Sequence, residues 1–244
     1  MSFDLQFTRP AAIPALAWPA TLRLMALAPH PDDFDAVGVT LRFFHQLGCA
    51  IHVAVVSGSA SGVLDEFCAG AAAKATAREQ EQRDSIRFFG LPEQQLAFLR
   101  LPEDAKGDPE KSAANAEAIR AQLAAIRPDI VLLPHGADTN VGHQRVYAMF
   151  RRVNKSTTAL LIRDPKTVEF RTDLFMPFDD ALAEWKRELL VQHRSQDHRN
   201  WKLRGHGFPE RILAVNRQLA VELACGAPFA EAFQLERGAR AAIG

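Results

Sequence analysis

The stretch TLRLMALAPHPDDFD, residues 21–35, joins an apolar run to two prolines, a histidine and three carboxylates. Residues 22–28 lean apolar and alternate little, as is typical of a β-strand buried on both faces. Charged side chains directly after such a strand are costly unless they bind or pair with something. In an open parallel sheet, ligands bind at the carboxyl ends of the strands. The stretch therefore predicts a central strand that ends in a functional site.

The rest of the first 150 residues alternates between strand and helix patterns. The strand candidates are 49–58, 95–102 and 130–134, and the helix candidates are 36–48, 71–89 and 112–127. Gly90 follows the second helix as a cap, and Ser112 is an N-cap candidate for the third. This order predicts an α/β fold with a mostly parallel, Rossmann-like sheet and helices on both faces. The active site is expected at the C-terminal ends of the strands.

After residue 150 the pattern is looser, with strand candidates at 158–164 and 167–174 and helices at 179–196 and 210–226. No repeat, low-complexity linker or composition break divides the chain. We therefore expect one domain over residues 21–240, preceded by a surface-lying N-terminal extension, residues 1–20.

Composition excludes several classes of protein. Lys and Arg together number 29, as do Asp and Glu, so no net field favours nucleic acid or an anionic membrane. Apolar runs are far shorter than the ~20 residues of a membrane helix, and the N-terminus does not resemble a signal peptide. Three cysteines without CxxC spacing indicate reduced thiols and a cytoplasmic location. The turn SGSASG (57–62) contains neither nucleotide-binding motif, which disfavours a nucleotide ligand.

Two strand ends together suggest a metal site. His30 and Asp33 share a face if a helical turn follows Pro31, and they supply two of the three protein ligands of a catalytic zinc. The loop PHGADTNVGH (134–143) offers His143 as the third ligand, with His135 as its rival. Asp32 could serve as the general base. Taken alone, HPDD could be a turn with an N-cap, and His143 a structural histidine; their combination favours the metal site.

These residues resemble the PIG-L/LmbE-like family of zinc-dependent deacetylases. APHPDD (28–33) matches the family's (A/P)HPDDE, and Asp138 and His143 match the outer residues of its D-x-H-x-D-H loop. Further similar elements are Ser57-Gly58, Arg78 with Glu81, Leu99 to Asp104, Lys186 to Gln196, and Ala230 to Phe233. The resemblance implies that His30, Asp33 and His143 bind one Zn²⁺ per chain and that Asp32 is the base. It also implies substrate contacts by Arg78 and Asp104, although an ordinary helix salt bridge between Arg78 and Glu81 is an equal alternative.

Three positions depart from the family pattern. Phe34 replaces a Glu, Asn140 replaces a His, and Gly142 replaces an Asp. An Asn amide can donate a hydrogen bond to an oxyanion but cannot exchange a proton, so Asn140 is expected to steady the oxyanion only. Phe34 is expected to change the packing behind the ligands rather than remove the metal.

The expected function is zinc-dependent removal of an N-acetyl or other N-acyl group from an amino sugar, such as N-acetylglucosamine, or its glycoside. The alternatives are an amidase acting on a larger glycoside conjugate and a non-catalytic sugar-binding protein. By resemblance, the chain can form a homo-oligomer. His193, His198 and His206 could enter the substrate pocket, although the polar segment 197–207 is predicted to be mostly solvent-exposed.

Overall fold

The apolar run at 22–28 forms strand β2 (Arg23–Ala28), which lies between two parallel neighbours in the sheet. The computed structural model of the protein describes residues 6–238. β2 pairs with β3 (Ala50–Val55) on one side and with β5 (Ile130–Pro134) on the other. Because both neighbours are parallel to it, the carboxyl ends of all three strands lie at one edge of the sheet.

The remaining strands extend the sheet on both sides. They are β1 (Ala11–Ala12), β4 (Leu96–Phe98), β6 (Thr158–Ile162), β7 (Leu174–Phe178) and β8 (Phe229–Glu236). Within residues 6–238 the sheet has eight strands in the order β1-β7-β8-β6-β5-β2-β3-β4. β8 runs antiparallel to both β6 and β7, and the other pairs are parallel. The predicted mostly parallel α/β domain is confirmed.

Helices cover both faces of the sheet. They are α1 (Gly38–Gln46), α2 (Ala71–Phe89), α3 (Ala113–Ile126), α4 (Val141–Val153), α5 (Asp180–Leu190), α6 (Arg194–Arg204) and α7 (Phe208–Leu223). Alternate residues of β2 face opposite layers, since successive side chains of a strand point to opposite faces. Leu24 and Ala26 belong to the core that includes α1, α2 and α5, whereas Met25 and Leu27 belong to the core that includes α3 and α4. No helix in the described part is long and apolar enough to cross a membrane.

Two predicted helix ends are confirmed by their caps. α2 spans the predicted residues 71–89 and ends at Gly90, whose φ of 93° is a left-handed conformation that favours glycine. Ser112 caps α3, because its side-chain oxygen accepts a hydrogen bond from the backbone N–H of Asn115 at 3.0 Å.

The N-terminal segment differs from the surface-lying extension that was expected. β1 pairs in parallel with β7, and the side chain of Ile13 is fully buried in the core. The indole N–H of Trp18 donates to the carbonyl of Ile13 at 2.8 Å. Residues 11–18 are therefore part of the sheet and its core, and residues 1–5 lie outside the described part.

Two predictions in the C-terminal half are wrong in position. The strand expected at 167–174 forms instead at Leu174–Phe178, and the carboxylate of the buried Asp173 just before it accepts the backbone N–H of Leu235 at 2.9 Å. The single helix expected at 179–196 is two helices, α5 and α6. His193 lies between them with non-helical φ and ψ of −85° and 63°, and its ring is turned inward to Asp35.

A buried ion pair connects the C-terminal half to the segment that follows HPDD. Lys186 Nζ donates to Glu231 Oε1 at 2.7 Å, to Asn216 Oδ1 at 2.8 Å and to the carbonyl of Ala36 at 2.6 Å. Glu231 also accepts the backbone N–H of Thr40 at 2.8 Å, at the start of α1. Both charged side chains are at most 1% exposed, so each depends on the other for compensation.

We predict that Lys186→Met lowers the free energy of unfolding by about 3–5 kcal/mol, because it leaves the Glu231 carboxylate buried without its cation. Urea unfolding followed by circular dichroism measures the change. Lys202→Met is the matched control, since the ion pair of Lys202 with Glu66 is more than half exposed, and its stability should stay at the wild-type value. Equal stability of the two variants would contradict a structural role for the buried pair.

Candidate active site

Three side chains converge at the carboxyl ends of β2 and β5. His30 and Asp33 follow β2, and His143 lies in the first turn of α4, after the loop that leaves β5. The Nε2 of His143 is 3.3 Å from Asp33 Oδ1, and the Nδ1 of His30 is 3.4 Å from Asp33 Oδ2. One potential ligand atom from each residue lies within 4.8 Å of the others. The sheet therefore brings together the cluster that the sequence predicted.

Local hydrogen bonds hold each of these residues in place. The carboxylate of Asp33 accepts the backbone N–H of His30 at 2.8 Å, which closes the turn after β2. Asp138 accepts the backbone N–H of Asn140 at 2.7 Å with one oxygen and the Nδ1–H of His143 at 3.0 Å with the other. Asp138 therefore orients the imidazole and leaves its Nε2 directed at Asp33, as carboxylates behind metal-binding histidines do.

The donor set fits zinc. Two imidazoles and one carboxylate are the ligands of many catalytic zinc sites, in which a fourth position stays open. A second group of His143, Asp138 and Asp164 is equally compact. Since the hydrogen bond to Asp138 occupies Nδ1 of His143, the free Nε2 favours the group with His30 and Asp33.

His135 does not join the cluster. Its Nδ1 accepts the backbone N–H of Ala137 at 3.0 Å, and its ring packs against Tyr147 and Phe170. Burial lowers the pKa of this imidazole. The geometry therefore favours His143 over His135 as the third ligand.

Electrostatics at the cluster favour a positive charge. Burial opposes ionisation of His143, but the neighbouring carboxylates of Asp33 and Asp138 outweigh it and raise its pKa to about 10. Burial also raises the pKa of the Asp164 carboxyl, which lies close to Asp138 and His143. A cation held here would replace the proton on His143 as the compensating charge.

Asp32 lies beside the cluster in an uncommon backbone conformation. Its φ is 115°, a region that residues other than glycine rarely adopt and that is frequent at active sites. The side chain of Gln82 accepts the backbone N–H of Asp32 at 3.1 Å. The guanidinium group of Arg78 is 3.4 Å from the carboxylate of Asp32 and also donates to the carbonyl of Pro31. These contacts fix Asp32 at the wall of the cavity without using it in the cluster.

The Arg78 and Glu81 pair is not a helix salt bridge. Whereas Arg78 is directed to Asp32, the carboxylate of Glu81 accepts the backbone N–H and the hydroxyl of Ser195, both at 2.7 Å. Each residue therefore connects α2 to a different part of the site. Arg78 is 1% exposed but lines the cavity.

A second buried pair supports the turn from behind. The Nε2 of His193 is 2.6 Å from Asp35 Oδ2, and the side-chain amide of Gln82 donates to the same carboxylate at 3.2 Å. Burial opposes protonation of His193, but Asp35 outweighs it and raises its pKa. Gln82 thereby links the Asp35–His193 pair to the backbone of Asp32. His193 has this positioning contact and does not line the cavity.

A cavity of ≈ 280 Å³ opens beside the cluster. Six of the predicted residues line it, namely His30, Asp32, Asp33, Arg78, Asn140 and His143. Asp104 does not, because its carboxylate is held by Arg145 at 2.7 Å and by the backbone of its own loop. His198 and His206 also lie outside the lining.

Sequence reasoning missed part of the wall. Asp164 and Lys166 follow β6, and Arg199, Arg204 and Arg211 come from α6 and α7. The sequence signal was the density of arginines in residues 199–211, but the polarity of residues 197–207 predicts solvent exposure for Arg199 and Arg204.

Phe34 and Gly142 show how two family positions have changed. Phe34 is 1% exposed and packs against Phe89 in the core, with ring centroids 5.2 Å apart. It therefore belongs to the core and not to the cavity lining, and its effect on metal binding stays a prediction. At Gly142 an added Cβ would lie 2.7 Å from Nε2 of His30, so the ring of His30 lies in the space that a side chain there would occupy.

Comparison with known proteins gives one matching family and several solved structures of similar fold. Residues 25–154 match the model of the family described as PIG-L, GlcNAc-PI de-N-acetylase. No curated protein matches the chain.

Solved structures with a similar fold have low sequence identity. The N,N'-diacetylchitobiose deacetylase from Pyrococcus horikoshii is 16% identical, with a TM-score of 0.73 over 88% of this chain and 84% of that chain. The antimicrobial A40926 pseudoaglycone deacetylase is 16% identical, with a TM-score of 0.67 over 91% and 100%. The 4-carboxy-2-hydroxymuconate hydratase from Pseudomonas putida is 15% identical, with a TM-score of 0.69 over 91% and 98%. The fold is therefore shared by deacetylases and a hydratase, and does not by itself identify the reaction.

We predict that Gly142→Ala weakens zinc binding about tenfold or more, because the new methyl group displaces the ring of His30. Alanine suits a helix better than glycine by about 1 kcal/mol, so the fold should persist. Competition with a chelating dye measures the affinity, and Val141→Ala, at a largely exposed neighbouring position, is the control. Unchanged affinity in Gly142→Ala would place the metal away from His30.

We further predict opposite pH trends for the stability and the zinc affinity of the metal-free protein. The pKa of His143 rises from 6.5 in the unfolded chain to about 10 in the folded chain, so its stabilising contribution is full below pH 6.5 and is lost as the pH rises through about 10. Zinc must displace this proton, so its affinity should rise about tenfold per pH unit across the same window.

Denaturant unfolding of chelator-treated protein, and zinc titrations at several pH values, measure the two trends. In His143→Ala, the stability and the zinc affinity should each depend less on pH than in the wild type, because this imidazole is absent. A zinc affinity that does not change from pH 6.5 upward in the wild type would contradict the involvement of His143.

Proposed function

The chain belongs to the PIG-L family of GlcNAc-PI de-N-acetylases, and we propose that it is a zinc-dependent hydrolase that removes an N-acetyl group from an amino sugar or its glycoside. The observation that carries the proposal is the cluster of His30, Asp33 and His143 with Asp32 held beside it but outside it. A ligand set with an adjacent carboxylate that is not itself a ligand is what hydrolysis of an amide by activated water requires.

His30, Asp33 and His143 would hold one zinc ion per chain, with Asp138 orienting His143. When bound, zinc lowers the pKa of a water molecule to ~7 and polarises a carbonyl group. The other steps fall to residues of this chain. The carboxylate of Asp33 and the imidazoles of His30 and His143 are already oriented before a ligand binds. This limits the reorganisation that the reaction needs.

Asp32 is proposed to be the general base. Its carboxylate faces the cavity and would accept the proton of the attacking water, then return it to the departing amine. Arg78 contacts its side chain and Gln82 its backbone, so the base is positioned by two residues of α2. Arg78 thus serves as a positioning residue for Asp32 as well as part of the substrate wall.

Asn140 is proposed to steady the oxyanion. Its side-chain oxygen accepts the N–H of Gly142 at 2.9 Å, which leaves the amide N–H groups as donors toward a ligand. An amide can donate such a hydrogen bond but cannot transfer a proton, so proton transfer is assigned to Asp32 alone. A substrate contact by Asp104 stays a prediction, as do the homo-oligomer and the cytoplasmic location.

The amidase and binding-protein alternatives keep the same cluster. An amidase would cleave a bulkier acyl group at the same position, and a binding protein would hold the sugar without turnover. The positive φ of Asp32 and its supporting contacts favour catalysis, because a strained backbone persists where the surrounding structure holds it for a function.

Three variants test the assignment. Asp32→Asn should keep about one zinc per chain and lose activity by about 10²–10⁴-fold, the usual contribution of a general base. His143→Ala should lose most of the zinc, whereas the matched variant His135→Ala should keep it. Metal content by elemental analysis and acetate release from a panel of N-acetylated sugars and glycosides are the measurements.

Two results would overturn the roles given above. Full activity of Asp32→Asn would remove Asp32 as the base. Tight zinc in His143→Ala, together with loss in His135→Ala, would exchange the two histidines. Bound zinc without acetate release from any member of the panel would favour the amidase or the binding protein.

A further inference from the structure

One wall of the cavity carries three arginines from the helices α6 and α7, namely Arg199, Arg204 and Arg211. Arg199 and Arg211 are half-buried, and Arg204 is exposed. Within residues 6–238, none of the three guanidinium groups makes a hydrogen bond or an ion pair with a carboxylate. In the described part of the chain, the buried cations Lys186 and Arg78 do have such partners.

The acidic residues on the same two helices are engaged elsewhere. Asp197 accepts the backbone N–H of Phe208 at 2.8 Å, and Glu210 pairs with Arg187. Asp32 and Asp164 also line the cavity and attract Arg211 without pairing with it. Asp33 and Asp108 belong to the lining as well, but within the described residues no carboxylate forms a direct ion pair with any of the three arginines.

The three cations also repel one another. Burial lowers the pKa of Arg199 and of Arg211, and the charge of Arg204 lowers both further. Arginine nonetheless stays charged in proteins. An arrangement that crowds permanent charges around a cavity is unfavourable until an anion enters.

We propose that the substrate carries an anionic group, a carboxylate or a phosphate, which Arg199, Arg204 and Arg211 bind while the N-acyl group lies at the His30–Asp33–His143 cluster. This inference rests on the proposed function, which assigns the N-acyl group to that cluster. The same cavity contains both sets of residues, so one molecule can contact both.

The chemistry of arginine supports an oxyanion over a neutral sugar. A guanidinium group presents a planar set of donors that matches the paired oxygens of a carboxylate or phosphate. Lys166, in the loop after β6, adds a further cation to the lining. A neutral glycoside would leave the three guanidinium groups without a directly paired anion.

The test compares three N-acetylated sugars that differ in charge: N-acetylglucosamine, N-acetylglucosamine 6-phosphate and N-acetylmuramic acid, which carries a carboxylate. Calorimetric titration into metal-free protein measures binding without any contribution from zinc. At least one anionic sugar should bind about 10- to 100-fold more tightly than the neutral one, since each hydrogen bond to a charged group contributes substantially. The preference should shrink at high salt.

Two variants locate the effect. Arg199→Gln and Arg211→Gln should each reduce the ratio of anionic to neutral affinity about tenfold. Arg194→Gln is the matched control, because Arg194 belongs to α6 but is exposed and lies 3.7 Å from Asp84, outside the cavity. Its ratio should equal that of the wild type. Circular dichroism of each variant checks the fold.

The outcomes separate this inference from the proposed function. Preference for an anionic sugar without acetate release by the zinc-loaded enzyme would support the arginine site and reject the deacetylase. Acetate release at equal kcat/KM from neutral and anionic sugars, with equal affinities, would overturn the arginine site alone. Dimers that dissociate in Arg211→Gln, without anion preference in the wild type, would also overturn it by assigning the arginines to a second copy.

Discussion

The carboxylate of Asp33, held between the imidazoles of His30 and His143, is the interaction on which the site depends. Burial opposes its ionisation, but the two histidines, His143 foremost, outweigh burial and lower its pKa well below the ordinary value. The contact joins the end of β2 to the start of α4, which are about a hundred residues apart in the chain. Without a cation at this point, the carboxylates of Asp33 and Asp138 would lie near each other without a compensating charge.

Two buried charge networks hold this contact from the C-terminal half of the chain. Asp35 and His193 support the turn that carries Asp32, and Lys186 and Glu231 support the start of α1. These networks also explain the C-terminal elements of the family resemblance. Lys186 and Glu231 of those elements form an ion pair, and His193 pairs with Asp35, which follows the HPDD segment. The proposed catalytic groups thus come from residues 30–143, and part of their support comes from residues 186–231.

Local signals predicted the parts of the molecule that depend on local physics. Gly90 and Ser112 mark helix ends because a left-handed residue and a side-chain acceptor act within a few residues. The break at His193 could not be predicted in this way, because its cause is a hydrogen bond to Asp35, 158 residues away. The same holds for the arginine wall: polarity indicates exposure for Arg199, whereas the cavity beside it exists only after α6 and α7 pack together.

Anomalous diffraction at the zinc edge, from crystals of the zinc-loaded protein, tests the central claim most directly. The prediction is a single peak within about 2.0–2.2 Å of His30, Asp33 and His143, with Asp32 outside coordination distance. A peak between Asp138, His143 and Asp164, or one coordinated by Asp32, would contradict it. The first result would move the metal away from His30 and Asp33, and the second would make Asp32 a ligand and not the base.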